Sequence, residues 1–100
     1  MQTSIGNRDG NTVITLNGRF DFNAHREFRE TVDQAVKETA GKIHVDLGGV
    51  DYLDSSALGM LLMLRDKAKG AGKEVLLANA RGAVKQVLDI ANFGKLFALI

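Results

Sequence analysis

Cysteine, proline and tryptophan are all missing from this 100-residue chain. Without cysteine there can be neither a disulfide framework nor a thiolate metal site. No proline-rich linker, internal repeat or low-complexity tract divides the chain, so a single domain over residues 1–100 is expected. Long hydrophobic runs are missing too. The longest near-apolar stretch, Ala57 to Leu64, is far short of the roughly 20 residues that span a bilayer. Met1-Gln2-Thr3-Ser4-Ile5 lacks the basic stretch and apolar run of a signal peptide. The expectation is a cytoplasmic protein with no membrane insertion. Nor is there an excess of charge of one sign, since 13 basic residues face 12 acidic ones. The basic residues are scattered and not interleaved with the few aromatic ones. Direct nucleic-acid binding, which needs a basic stripe or a stacking platform, is therefore not expected.

What is present is an ordinary globular balance, 45% hydrophobic and 25% charged, which permits a core. Thr3 to Asn7 leads to Asp9-Gly10-Asn11, a turn signal, and then to the β-branched run Thr12-Val13-Ile14-Thr15-Leu16. Together these predict an opening hairpin. Asn23 offers a helix N-cap, with Ala24, Phe28, Val32, Ala35, Val36 and Thr39 on one face and Gly41 as the stop. Ile43 to Leu47 reads as a strand ended by Gly48-Gly49. A second helix is capped by Asp54 or Ser55, runs to about Lys69, and is broken by Gly70-Ala71-Gly72. Glu74 to Ala78 reads as a buried strand, Arg81 to Ala91 as a third helix with Val84, Val87, Leu88 and Ala91 inward, and Leu96 to Ile100 as a last strand. Strands alternating with helices imply crossover connections. The fold class is α/β, a mainly parallel sheet with helices packed on it and a hairpin at one edge.

The second helix carries the most information. Ala-Leu-Gly-Met-Leu-Leu-Met-Leu, residues 57–64, is apolar around its whole circumference, whereas a helix on a sheet needs only one stripe. Leu58, Leu61, Leu62 and Arg65 form one stripe; Ala57, Met60, Leu64 and Ala68 form its neighbour. Either the helix is sandwiched in a small core or it keeps an apolar face for a partner, where methionine suits an adaptable surface. Asp54-Ser55-Ser56 stands at its start. Simple N-capping accounts for such residues, but a phosphate there would also meet free backbone N–H groups and the positive end of the helix dipole.

Val50-Asp51-Tyr52-Leu53-Asp54-Ser55-Ser56-Ala57-Leu58-Gly59 resembles the signature of the STAS domain shared by anti-sigma-factor antagonists. Gly18-Arg19-Phe20-Asp21 resembles the family's segment before the first helix, and residues 43–47, 72–77, 84–88 and 93–97 resemble its later elements. The resemblance implies a single STAS domain whose phosphorylated serine is Ser55, with Ser56 as the alternative. It implies a GHKL-type serine kinase that doubles as the anti-sigma factor, bound by the unphosphorylated protein and released by the phosphorylated one. A PPM-type serine phosphatase would reset the switch. The implied partner-binding residues are Asp21, Asp54, Ser55, Ser56, Ala57, Leu58 and Met60, with no cofactor. Ala57 stands where many members have glycine. A constitutive STAS subunit of a transport complex, such as a lipid-trafficking ABC transporter, is the other reading.

Other chemistry is poorly supported. Gly70-Ala71-Gly72-Lys73-Glu74 follows a helix and precedes a strand, the reverse of a phosphate-binding loop, and Glu74 stands where Ser or Thr must bind magnesium. A hydrolytic triad would need Ser55 or Ser56 with His25 or His44, but the Gly-x-Ser-x-Gly elbow is missing. Two lone histidines at no ligand spacing make a poor metal site. A binding protein, not an enzyme, is expected.

Overall fold

The computed structural model describes residues 1–38 and 41–100. The hairpin forms as the turn chemistry requires. Strand β1 (Gln2–Arg8) runs antiparallel to β2 (Asn11–Phe20), with Arg8 paired to Asn11 across a two-residue loop. Asp9 and Gly10 hold φ at 53° and 83°, the left-handed pair that matches the twist of the flanking strands.

After β2 the chain makes a single 3-10 turn, Phe22–Ala24, and enters helix α1 (His25–Glu38). Asn23 is not the cap. Asp21 is, because its extended backbone lets the side chain accept from the Asn23 amide at 3.0 Å. Ala24, Phe28, Val32 and Ala35 are buried as the spacing predicts, and Val36 is half-buried. Thr31 joins them, its hydroxyl satisfied by the Glu27 carbonyl at 2.9 Å. Thr39 lies outside the described residues. Gly41 is glycine for a reason other than a left-handed helix stop. A Cβ there would stand 2.5 Å from the Asn11 Oδ1 and 2.8 Å from the Gly10 carbonyl oxygen, so the hairpin turn sits directly against it.

Strand β3 runs from Ile43 to Leu53, straight through Gly48 and Gly49 rather than ending there. Gly49 lies where the β2–β3 register shifts and β3 carries an extra residue, its missing side chain leaving room for Asn17, whose Oδ1 would be 1.8 Å from a Cβ. The glycines thus mark a close backbone approach inside a strand, not its terminus. Helix α2 (Ser55–Gly70) leads to β4 (Val75–Ala78), then α3 (Gly82–Ile90), a 3-10 turn Phe93–Lys95, and the two-residue β5 (Ala98–Leu99). The sheet order is β1-β2-β3-β4-β5, with β2 through β5 parallel. α3 is anchored at its start by Arg81, whose guanidinium donates twice to the Gly48 carbonyl, at 2.9 and 3.2 Å.

Ile5, Ile14, Val45 and Leu77 lie in register on one sheet face. Thr3, on that same face, reaches α1 through Glu27 and Thr31. The Lys67 ammonium, donating to Asp33 at 2.6 Å, ties α2 to α1. Between these layers Ile14, Leu16, Phe20, Phe28, Val45, Leu47, Leu61, Leu64 and Leu77 are essentially inaccessible to solvent. Burying one such side chain contributes about 1.5–3 kcal/mol. The Phe20 and Phe28 rings meet at 4.9 Å in a tilted pair, fixing the start of α1 to the end of β2.

Candidate functional site

Parallel pairing brings the C-terminal ends of β2 and β3 to one end of the sheet, where open α/β sheets present ligand and partner sites. Phe20 pairs with Leu53, and the Asp54 amide donates to the Phe20 carbonyl at 3.4 Å. One residue beyond each strand stands a capping aspartate: Asp21 caps the 3-10 turn and Asp54 caps α2. The sheet therefore sets two predicted site residues side by side although 33 positions separate them in sequence.

Asp54 makes two bonds through one oxygen. Its Oδ1 accepts from the Ala57 amide at 3.0 Å and from the Ser56 hydroxyl at 2.6 Å. The Ser56 bond foremost, and the amide bonds after it, hold the Asp54 carboxyl below its ordinary pKa against the opposing effect of burial. Ser56 is half-buried and its hydroxyl is engaged. Ser55 is the first residue of α2, exposed, and among the described residues its hydroxyl has no hydrogen-bond partner. Its neighbours Asp51 and Tyr52 are exposed as well. The Arg19 guanidinium lies 4.0 Å over the Tyr52 ring and 3.6 Å from the Asp21 carboxylate, a cation–π contact that holds this basic side chain beside Asp21.

Helix α2 resolves its two competing stripes in favour of the sheet. Ala57, Met60, Leu61, Leu64 and Ala68 are buried, while Leu58, Leu62 and Met63 are half-buried and Gly59 is exposed. Burial differs among the residues of the expected partner set. The Ala57 methyl is fully buried, on the same stripe as Met60, Leu64 and Ala68. Met60 is 3% exposed and contributes only a groove wall. Leu58 keeps some accessible surface.

Beside the serines lies a groove that the sequence does not reveal. It is a shallow concavity of about 350 Å³ lined by Phe22, His25, Ser56, Gly59, Met60 and Met63. Phe22 is 70% exposed, an unusual state for a phenylalanine, and its ring stacks on His25 at 5.8 Å between centroids. The helix-face pattern cannot identify Phe22, because it precedes the helix and belongs to neither stripe. Its position directly after Asp21 is the available signal. His25 shares the groove with Ser56, whereas His44 does not reach it. Asp54 binds Ser56 directly, and His44, near the start of β3, lies about 30 Å along the strand from its C-terminal end at roughly 3.3 Å per residue.

Among the described residues no helix is long and apolar enough to cross a membrane.

Comparison with known proteins agrees with this architecture. The family described as Mlab, STAS domain, matches residues 4–100. A STAS-domain containing protein of Pseudomonas aeruginosa (strain UCBPP-PA14) is 45% identical over 98 residues, covering 97% of this chain and 96% of its own. The anti-sigma factor antagonist SpoIIAA in its unphosphorylated form superposes with a TM-score of 0.81 at 20% identity, covering 99% of this chain and 88% of SpoIIAA. The phosphorylated form of SpoIIAA, a Bacillus cell fate determinant, gives a TM-score of 0.74 at 18% identity, covering 99% and 91%. The STAS domain of a SulP transporter from Vibrio cholerae gives 0.66 at 26% identity, covering 84% of this chain and 65% of that one.

Proposed function

The chain belongs to the STAS-domain family, and from that premise we propose that it is a partner-switching regulator of the anti-sigma-factor-antagonist type, controlled by phosphorylation of Ser55. One observation carries this reading: of two adjacent serines, Asp54 engages the Ser56 hydroxyl at 2.6 Å, while Ser55 stands exposed at the first position of α2. A kinase needs an accessible hydroxyl, and Ser55 offers one.

The charge logic derives from position. A phosphate adds about −1.5 to −2 charges. At the first turn of α2 it meets amide N–H groups and the positive end of the helix dipole, so the fold tolerates it. A partner docked over Ser55 and the Phe22–Met63 groove would face that charge beside Asp21, Asp51 and Asp54. Desolvating such a cluster against an apolar surface is costly, and the partner dissociates. The unphosphorylated protein thus binds a GHKL-type serine kinase that is also an anti-sigma factor. The phosphorylated protein releases it, and a PPM-type phosphatase restores binding. The chain's role is binding, not catalysis. The likeness to SpoIIAA in both phosphorylation states supports this reading.

Incubation with ATP and the GHKL-type kinase of the same genome, with peptide mapping of the product, tests it. One phosphate on Ser55, lost in Ser55→Ala, is expected; an active kinase that leaves both serines unmodified refutes the switch.

The likeness to a transporter's STAS domain favours a second reading, a constitutive subunit of a transport complex that uses the same helix without phosphorylation. Co-purification with a membrane ATPase in place of a soluble kinase would decide for it.

A further inference from the structure

At the other end of α2 from Ser55, the cations outnumber the carboxylates available to them. Arg65, Lys69 and Lys73 line a concavity of about 240 Å³ floored in part by Val75 and Leu96. Its lining includes one carboxylate, Glu74, which is paired with Lys42 at 3.2 Å. Among the described residues neither Lys69 nor Lys73 has an ion-pair partner.

Helix capping does not explain the cluster. Lysines near a helix C-terminus complement its dipole, which accounts for Lys67 and Lys69. Lys73, however, lies beyond the helix. The last carbonyls need no lysine either, because those of Lys67, Ala68 and Lys69 already accept from the Ala71, Gly72 and Lys73 amides at 2.8–3.3 Å. Gly72, at φ 74°, makes the turn that returns Lys73 to this end of the helix. The Arg65 guanidinium is anchored, its Nε donating to the Leu96 carbonyl at 3.0 Å and its Nη1 lying 3.7 Å from the exposed Asp66 carboxylate. One fixed planar donor and two unpaired ammonium groups therefore converge on one hollow with an apolar wall.

The geometry points to a binding site for a phosphate monoester, its phosphate held by Arg65, Lys69 and Lys73 and its organic part against Val75 and Leu96. Such a group carries close to two negative charges at neutral pH and several acceptor oxygens, which suits one guanidinium and two lysines. The proposal is independent of the Ser55 switch.

Amide-resolved NMR of the full chain at low ionic strength, titrated with inorganic phosphate and then with glycerol 3-phosphate, tests it. Saturable shifts confined to Arg65, Lys69, Lys73 and Leu96, tighter for the ester and weakened by salt, are expected. Lys69→Gln/Lys73→Gln should weaken binding at least tenfold while leaving the rest of the spectrum intact, and Lys37→Gln should not. Shifts spread evenly over all basic residues, or equal affinity in the double variant, would overturn the proposal. Vesicles distinguish the source of the ester. Sedimentation with phosphatidic acid but not phosphatidylcholine, lost in the double variant, identifies a lipid headgroup; binding of glycerol 3-phosphate alone identifies a small soluble ester.

Discussion

The Asp54 carboxylate accepts the Ser56 hydroxyl at 2.6 Å while the same oxygen caps α2 through the Ala57 amide. One acceptor thus starts the helix and engages the second serine, leaving the first exposed. Asp54→Ala should cost about 1 kcal/mol of stability through the lost cap, measured by urea unfolding. It should also free Ser56, so that a kinase acting on this site modifies both serines where it modified one.

The same bond gives a pH dependence. Asp54 is held below its ordinary pKa by Ser56, and Asp33 by its hydrogen bond with Lys67. Both carboxylates ionise more readily in the folded state, so the unfolded chain binds more protons in acid. Their stabilising contribution is complete above about pH 4 and is lost as the pH falls through the lower folded values. Thermal melts from neutral pH into acid should show this decline, and Asp54→Asn should reduce its slope. Melting temperatures that hold steady as the pH falls through that range would contradict the assignment.

Gly59 faces the groove, and a Cβ added there meets nothing within 4 Å. Gly59→Ala should therefore stabilise the protein by about 0.5–1 kcal/mol, the ordinary gain for a helix-interior glycine. Gly59→Trp should leave the melting temperature close to wild type but fill the groove and abolish partner binding. Unchanged binding in Gly59→Trp would remove the groove from the interface.

Phe22 and Leu61 separate binding from folding. Leu61 is fully buried, and Leu61→Ala should cost about 2–5 kcal/mol. Phe22 is 70% exposed, so Phe22→Ala should change stability by less than about 0.5 kcal/mol. Its effect on partner affinity should exceed tenfold, as expected for an aromatic anchor. Calorimetry on both variants, with and without partner, checks the contrast.

Much of the fold is legible in the sequence because local chemistry and tertiary context agree. Asp9-Gly10 favours left-handed backbone and sits in the predicted turn. The apolar spacing of α1 and the Asp54 cap of α2 are legible for the same reason. Elsewhere contacts distant in sequence decide the outcome. Gly48-Gly49 looks like a strand end, but Gly49 accommodates Asn17 across the sheet. Asn23 looks like a cap, but the extended backbone of Asp21, two residues earlier, takes that role. The all-apolar circumference of α2 conceals which stripe is buried, so the burial of Ala57, Met60, Leu64 and Ala68 is not legible in the sequence. Of the candidate site, Asp21, Asp54 and the two serines can be read from the sequence, whereas Phe22 and His25 reach the groove only through the turn after β2.

The most direct measurement is the affinity of the GHKL-type kinase for this protein with and without a phosphate on Ser55. Burying that charge in an apolar interface should cost several kcal/mol, so at least about a hundredfold loss of affinity is expected. Ser55→Asp should reproduce it only in part, having less charge and fewer acceptor oxygens. Equal affinity for the two forms would contradict the switch and leave α2 as a constitutive contact.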